Sequence, residues 1–116
     1  ATLNYGHTLA HALETAGHYD LFHGEAVAIG LQYAARLARH LGRIDDARVE
    51  EHRRVVKAYG LPLTLPETAD VGPLVELMAR DKKAVDGLTF VLDGPNGVEV
   101  VLVEPSVAAA VLKEMR

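Results

Sequence analysis

The stretch that decides the fold lies in residues 1–25 and reads Asn4-Tyr5-Gly6-His7-Thr8-Leu9-Ala10-His11-Ala12-Leu13-Glu14, then, after a short break, His23-Gly24-Glu25. On a helix, His7 and His11 lie one turn apart on one face, and Glu14 shares that face. A short turn can bring His23 back toward the first helix. The spacing therefore predicts a helix–turn–helix corner where three imidazoles and a carboxylate converge.

Metal binding is the chemistry that this corner favours. Two imidazoles at i, i+4 can bind one ion, as they do in helical zinc motifs. A lone histidine on an apolar helix is more often a hydrogen-bonded structural residue, and that alternative stays open here. Spacing does not decide which two of the three imidazoles bind metal, because His11 could instead carry a proton or bind an anion.

Length and composition indicate one globular domain. The chain has 116 residues, of which 49% are hydrophobic and 24% charged. This length and composition are sufficient for one hydrophobic core. A net charge of -4 argues against a nucleic-acid partner. The absence of cysteine excludes disulfides and fits a cytoplasmic location, and no apolar run is long enough to span a membrane. Because the chain begins without Met and enters the first helix at once, we expect a piece of a longer polypeptide.

The pattern of apolar residues predicts a mainly α fold, a helical bundle with a small β-hairpin near the C-terminus. The predicted helices cover residues 4–16, 24–41, 45–59, 70–79 and 104–116, and the predicted strands cover 88–92 and 98–103. The second helix is apolar on most sides and should be the central buried one. Asp45 or Asp46 should cap the third helix.

Two further groups of residues have ordinary structural explanations. On the third helix, Val49, Val55, Val56 and Tyr59 form one apolar stripe with His52, which we interpret, like His40, as structural or exposed. The segment Asp81-Lys82-Lys83 follows the fourth helix, where cations suit the helix dipole. The alternative is an anion site for phosphate or carboxylate.

The N-x-G-H-T-x-x-H stretch from Asn4 to His11, with the later H-G-E-A-V from His23, resembles the C-terminal half of 3-dehydroquinate synthase, and the likeness continues through Asp81-Lys82-Lys83. The resemblance implies a lyase of the shikimate pathway, used in aromatic amino acid biosynthesis. Such an enzyme uses NAD transiently to convert 3-deoxy-D-arabino-heptulosonate 7-phosphate to 3-dehydroquinate and phosphate. It further implies that residues 1–116 are the metal- and substrate-binding domain of a cytoplasmic homodimer, whose NAD-binding N-terminal domain is absent from this chain.

The resemblance also assigns the metal ligands. His7 and His23 correspond to ligands of Zn²⁺ or Co²⁺. The family's third ligand, a glutamate, has no matching position in this chain. We therefore expect the isolated chain to bind zinc weakly and to show no turnover.

Substrate contacts follow from the same resemblance. His11 corresponds to a catalytic residue that handles the phosphate or its protons, and Asn4 to a second substrate contact. One of Lys82 and Lys83 corresponds to a residue that faces an anionic group of the substrate.

Three other functions remain open. A related sugar phosphate cyclase, such as 2-deoxy-scyllo-inosose or epi-valiolone synthase, shares the histidine pattern and differs in product. A metal-dependent alcohol dehydrogenase would consume NAD instead of recycling it. In a non-catalytic helical interaction module, replacing His7 and His23 would leave the metal content unchanged.

Overall fold

The computed structural model describes residues 6–17, 19, 21–82 and 88–116. These residues form α1 His7–Ala16, α2 His23–His40, α3 Asp46–Ala58, α4 Val71–Lys82, β1 Leu88–Leu92, β2 Glu99–Val103 and α5 Pro105–Lys113. The mainly α class with a small hairpin near the C-terminus is thereby confirmed. Within these residues, no helix combines the length and the apolar character that crossing a membrane requires.

Helix α2 is the central buried helix, as predicted. Ten of its 18 residues are buried. The Tyr33 hydroxyl donates a hydrogen bond of 2.8 Å to the carbonyl oxygen of Ala108 on α5, and its ring lies edge-on to Phe90 of β1 at 5.8 Å. Burial raises the pKa of the Tyr33 hydroxyl, so it stays a neutral donor. One side chain thus joins α2 to both C-terminal elements.

Helix α1 begins at His7, whereas the sequence predicts a helix from residue 4 to residue 16. Gly6 precedes it with a φ of 77°, a left-handed conformation that favours glycine and does not continue a helix. A Cβ on Gly30 of α2 would overlap the carbonyl oxygen of Gly6. A Cβ on Gly6 would lie 2.8 Å from the Leu31 side chain. The start of α1 is therefore fixed by the close approach of two glycines, which local sequence does not reveal.

Most of the other helix ends described below lie where the sequence predicts them. Gly17 ends α1 in a left-handed conformation, as predicted. The Asp45 carboxylate accepts a hydrogen bond of 3.0 Å from the Arg48 backbone N–H, so Asp45 is the cap of α3. Helix α4 runs on to Lys82, three residues past its predicted end, because residues 79–82 are compatible with a helix.

The apolar stripe predicted for α3 is partly wrong. Val49 and Val56 are buried, whereas Val55 and Tyr59 are 60% and 78% exposed. The buried residues of α3 are Val49 and Val56, two turns apart, so its contact with the rest of the molecule is narrow. The Nδ1 of His52 donates to the carbonyl oxygen of Arg48 at 2.8 Å, which confirms a structural role for this histidine.

The hairpin has the predicted topology. Strands β1 and β2 pair antiparallel from Leu88 opposite Val103 to Leu92 opposite Glu99. Leu88, Phe90 and Leu92 are buried, so one face of β1 closes the core beside α2 and α4. The second strand begins one residue later than predicted.

Candidate functional site

The exposed face of α1 carries the predicted site residues. His7, His11 and Glu14 are exposed, while Thr8, Leu9, Ala10, Ala12 and Leu13 are buried against the core. The 3.6-residue period explains this division, because residues at positions i, i+4 and i+7 return to the same side of the helix. The structure therefore confirms that the two imidazoles and the carboxylate share one face.

His23 comes back to this face from the start of α2. Its Nδ1 lies 2.9 Å from Oε2 of Glu14, and the two side chains are 67% and 38% exposed. An ionised carboxylate only accepts hydrogen bonds, so Nδ1 is the donor in this contact. The other ring nitrogen, Nε2, then has its lone pair available in the neutral imidazole.

The two predicted metal ligands are associated with different turns of α1, because His7 begins this helix and His23, on α2, lies beside Glu14 in its last turn. Glu14, which contacts His23, is seven residues after His7, or about 10 Å along the helix axis. Across residues 6–17, 19, 21–82 and 88–116, no group of three or more histidine, aspartate and glutamate side chains is placed to hold a metal ion. An ion bound by His7 and His23 would need a further donor from outside the described residues.

The chemistry of this corner fits part of a zinc site. Zinc accepts imidazole nitrogens as ligands, and a metal-bound histidine usually donates its other N–H to a carboxylate or a carbonyl oxygen. His23 with Glu14 has this arrangement, and His7 offers a second exposed imidazole on the same helix face.

A cleft of about 340 Å³ opens beside Glu14. Its other lining residues are Leu13, Gly17, Tyr19 and Leu21, all from the end of α1 and the turn that follows it. The volume is at the lower end for a small-molecule site. Glu14 thus lines the cleft and also contacts the imidazole of His23.

A larger cleft of about 670 Å³ lies at the other end of α2, where the turn before α3 meets the hairpin loop. Its charged groups are already paired. The Nε of Arg48 donates to the Asp93 carboxylate at 2.6 Å, and the Nε of Arg43 donates to the Asp93 carbonyl oxygen at 3.1 Å. Arg43 also pairs with Glu99 at 3.1 Å. This cleft is therefore better explained as the surface of a structural ion-pair network.

Asp93 is the central carboxylate of that network. Burial disfavours its ionised form, but hydrogen bonds from the Arg48 side chain and the Gly94 backbone N–H outweigh this effect and lower its pKa below the ordinary value. Its side chain is only 10% exposed. The Arg48–Asp93 pair was missed from sequence, since 45 residues separate the partners and Asp93 looks like an ordinary turn residue.

Three other predicted site residues lie wholly or partly outside the described part of the chain. Asn4 and Lys83 lie outside the described residues. Lys82 is the last residue of α4, and its side chain also lies outside the described part. The contact between Glu14 and His23 was not predicted from the sequence. Its signals were that Glu14 shares a helix face with His7 and that a short turn can bring His23 back toward that helix.

Fold and site together define a helical domain with an exposed imidazole–carboxylate corner. Residues 1–84 match the family described as 3-dehydroquinate synthase C-terminal. The chain belongs to this family.

Two curated relatives extend the match. The chain is 60% identical, over 85% of its length, to a protein of Amycolatopsis mediterranei named "Putative aminodehydroquinate synthase". It is 46% identical, over 97% of its length, to the 3-dehydroquinate synthase of Mycolicibacterium vanbaalenii. The aligned regions cover 28% and 32% of these relatives, so the chain spans about three tenths of their length.

Among solved structures, a 2-deoxy-scyllo-inosose synthase complexed with carbaglucose-6-phosphate, NAD⁺ and Co²⁺ has a similar fold. The TM-score is 0.83 at 25% identity, over 97% of this chain and 34% of that one. The arrangement of helices and hairpin is thus shared with a sugar phosphate cyclase.

Proposed function

We propose that the chain is the metal- and substrate-binding domain, residues 1–116, of a 3-dehydroquinate synthase. The intact enzyme would be a lyase that converts 3-deoxy-D-arabino-heptulosonate 7-phosphate to 3-dehydroquinate and phosphate. The observation that carries this proposal is the exposed corner of His7, His11 and the Glu14–His23 pair, in a chain that matches the family over residues 1–84. The identity of 46% to a 3-dehydroquinate synthase, against 25% to a 2-deoxy-scyllo-inosose synthase, favours this product over that of the other cyclase.

His7 and His23 would hold the Zn²⁺ or Co²⁺ ion, together with a donor from the rest of the enzyme. When bound, the metal supplies Lewis acidity that makes a substrate hydroxyl easier to deprotonate. Both imidazoles are exposed, so they can be reached by an ion and by a substrate that arrives from a second domain. NAD, which supplies the transient oxidation, would be bound mainly by that N-terminal domain.

His11 would handle the phosphate. It is exposed one turn after His7, on the same face of α1. An imidazole at that place can donate a hydrogen bond to a phosphate oxygen and carry a proton as negative charge develops on the leaving group. Asn4 and one of Lys82 and Lys83 would contribute an amide and an ammonium group to the same anionic substrate. The intact enzyme would be a cytoplasmic homodimer.

The metal assignment is tested in the intact enzyme with the substitutions His7→Ala and His23→Ala. Each should remove most of the bound zinc, measured by elemental analysis after gel filtration. His40→Ala is the matched control, because His40 is an exposed histidine at the opposite end of α2. Folded His7→Ala and His23→Ala enzymes that keep a full equivalent of zinc would contradict the proposal.

The role of His11 is tested by His11→Gln. We expect kcat to fall by about 100-fold or more, the usual contribution of a general acid or base, with the zinc content unchanged. A parallel loss of zinc would instead make His11 a metal ligand.

The isolated chain should be inactive, because the exposed corner lacks a third metal ligand among its described residues. Calorimetric titration should show weak zinc binding and a coupled assay should show no phosphate release. Tight stoichiometric zinc binding by the isolated chain would show that the metal site is complete without a second domain.

A second candidate function follows from the 60% identity to the Amycolatopsis protein. The substrate would then be an amino analogue of the heptulosonate phosphate, and the product an aminodehydroquinate. The values of kcat/KM for the two substrates, measured side by side with the intact enzyme, decide between the candidates. A preference for the amino substrate would identify the second one.

A further inference from the structure

We propose that Glu14 is a positioning residue for metal binding, which acts through His23. This inference rests on the proposed function, in that it takes His23 to be a metal ligand. It starts from the contact of 2.9 Å between Oε2 of Glu14 and Nδ1 of His23. A carboxylate that accepts the Nδ1–H fixes the imidazole as the tautomer whose Nε2 can bind an ion.

The position of Glu14 has no explanation in the stability of α1. It lies in the last turn of the helix, which ends at Ala16, and a negative charge there opposes the helix dipole. Because the pair is largely exposed, it contributes little to folding.

Glu25 shows what a structural carboxylate looks like beside the same histidine. It lies in the first turn of α2, where the dipole favours an acid, and its Oε1 accepts a hydrogen bond of 2.8 Å from the Phe22 backbone N–H. Glu25 therefore stabilises the start of the helix, whereas Glu14 reaches from another helix to the imidazole ring itself. The two carboxylates have separate tasks.

The pair also sets the direction of the His23 ring. The Glu14 carboxylate is carried by α1, and the Cα of His23 is carried by α2, so the hydrogen bond ties the ring to both helices. Loss of the carboxylate would leave the ring free to rotate about its side-chain bonds and to change tautomer. Binding an ion would then include the cost of ordering the ring.

The test measures zinc affinity in the intact enzyme by competition with a chromophoric chelator. Glu14→Ala should weaken zinc binding by about 10- to 100-fold, the usual effect of losing such an outer partner. Glu14→Gln should weaken it less, because the amide oxygen still accepts the Nδ1–H. Glu50→Ala, which removes a similarly exposed carboxylate paired with Arg53 on α3, should leave zinc affinity unchanged.

The visible absorption spectrum of the Co²⁺ form adds a second measurement. It should keep its band positions in Glu14→Gln if the set of ligand atoms is unchanged. A spectrum altered as in His23→Ala, with equal loss of metal in Glu14→Gln and Glu14→Ala, would make Glu14 a ligand and overturn the positioning role.

The two proposals fail in different ways. If His23→Ala loses zinc but Glu14→Ala binds it within twofold of the unmodified enzyme, the positioning role is wrong and the metal assignment stands. If His23→Ala retains zinc, the metal assignment itself is wrong, and the role of Glu14 falls with it. Melting temperatures of all variants should stay close to that of the unmodified enzyme, so that affinity changes reflect the site.

Discussion

The two ends of α2 use charged and polar side chains in different ways. At the C-terminal end, three arginines each have a carboxylate partner, in the pairs Arg39–Asp46, Arg43–Glu99 and Arg48–Asp93. At the N-terminal end, α1 presents imidazoles on an exposed face, and Glu14 pairs with His23. The first end joins elements that are distant in sequence, whereas the second keeps the proposed ligand atoms accessible.

This difference distinguishes polar groups that stabilise the fold from the proposed metal ligands. Asp93 is nearly buried and held by both a guanidinium and a backbone N–H, an arrangement that orders the hairpin loop against α3. His23 is 67% exposed and is held by Glu14 through its Nδ1. A site for an ion needs this second arrangement, since a ligand whose atoms are all satisfied has nothing left to bind with.

The largest expected loss of stability comes from Gly30→Ala, toward the N-terminal end of α2. The new Cβ would overlap the Gly6 carbonyl oxygen, so the start of α1 must move away from α2. Overpacking of this kind costs about 2 to 3 kcal/mol of unfolding free energy. Zinc affinity in the intact enzyme should fall as well, because His7 directly follows Gly6.

Gly72→Ala is the matched control for that substitution. Gly72 lies in the first turn of α4, and a Cβ there would meet nothing within 4 Å. Alanine should stabilise the helix slightly, by about 0.5 kcal/mol. Urea denaturation measures both variants. Equal stability of Gly30→Ala and Gly72→Ala would show that the two glycines do not fix the contact of α1 with α2.

A smaller loss is expected from Asp93→Ala at the C-terminal end. The substitution removes the acceptor for Arg48 and for the Gly94 N–H, and should cost about 1 to 2 kcal/mol. Zinc affinity should not change, because about 25 Å of helix separates this end from His23. Glu50→Ala, an exposed ion-pair control, should cost less than about 0.5 kcal/mol. A loss of zinc in Asp93→Ala would show that the two ends are coupled.

Much of the fold could be predicted because its signals are local. The apolar pattern of α2, the glycine at the end of α1 and the turn residues between β1 and β2 each act within a few residues. The start of α1 was misplaced because it depends on Gly30, far along the chain. The exposure of Val55 and Tyr59 was missed because it depends on how narrow the contact of α3 is.

The candidate site shows the same division. The common face of His7, His11 and Glu14 follows from the helical period alone, and the structure confirms it. The contact between Glu14 and His23 depends on how α1 and α2 are placed relative to each other, which spacing does not specify. Whether His7 and His23 share an ion stays a prediction, since the described residues contain no group of three or more side chains placed to hold a metal ion.

The smallest expected effect is on the acid dependence of stability, and it concerns the C-terminal end only. The pKa of Asp93 is lower in the folded chain than its unfolded value of about 4, so the ionised carboxylate favours the folded state. The resulting stability is present above the unfolded pKa and is lost as the pH falls through the folded pKa. Thermal unfolding at about pH 6 and about pH 3 should therefore show a larger decrease in Tm for the unmodified chain than for Asp93→Asn. Equal decreases would mean that the Arg48–Asp93 pair does not stabilise the fold through its charge, and the distinction between the two ends of α2 would then rest on geometry alone.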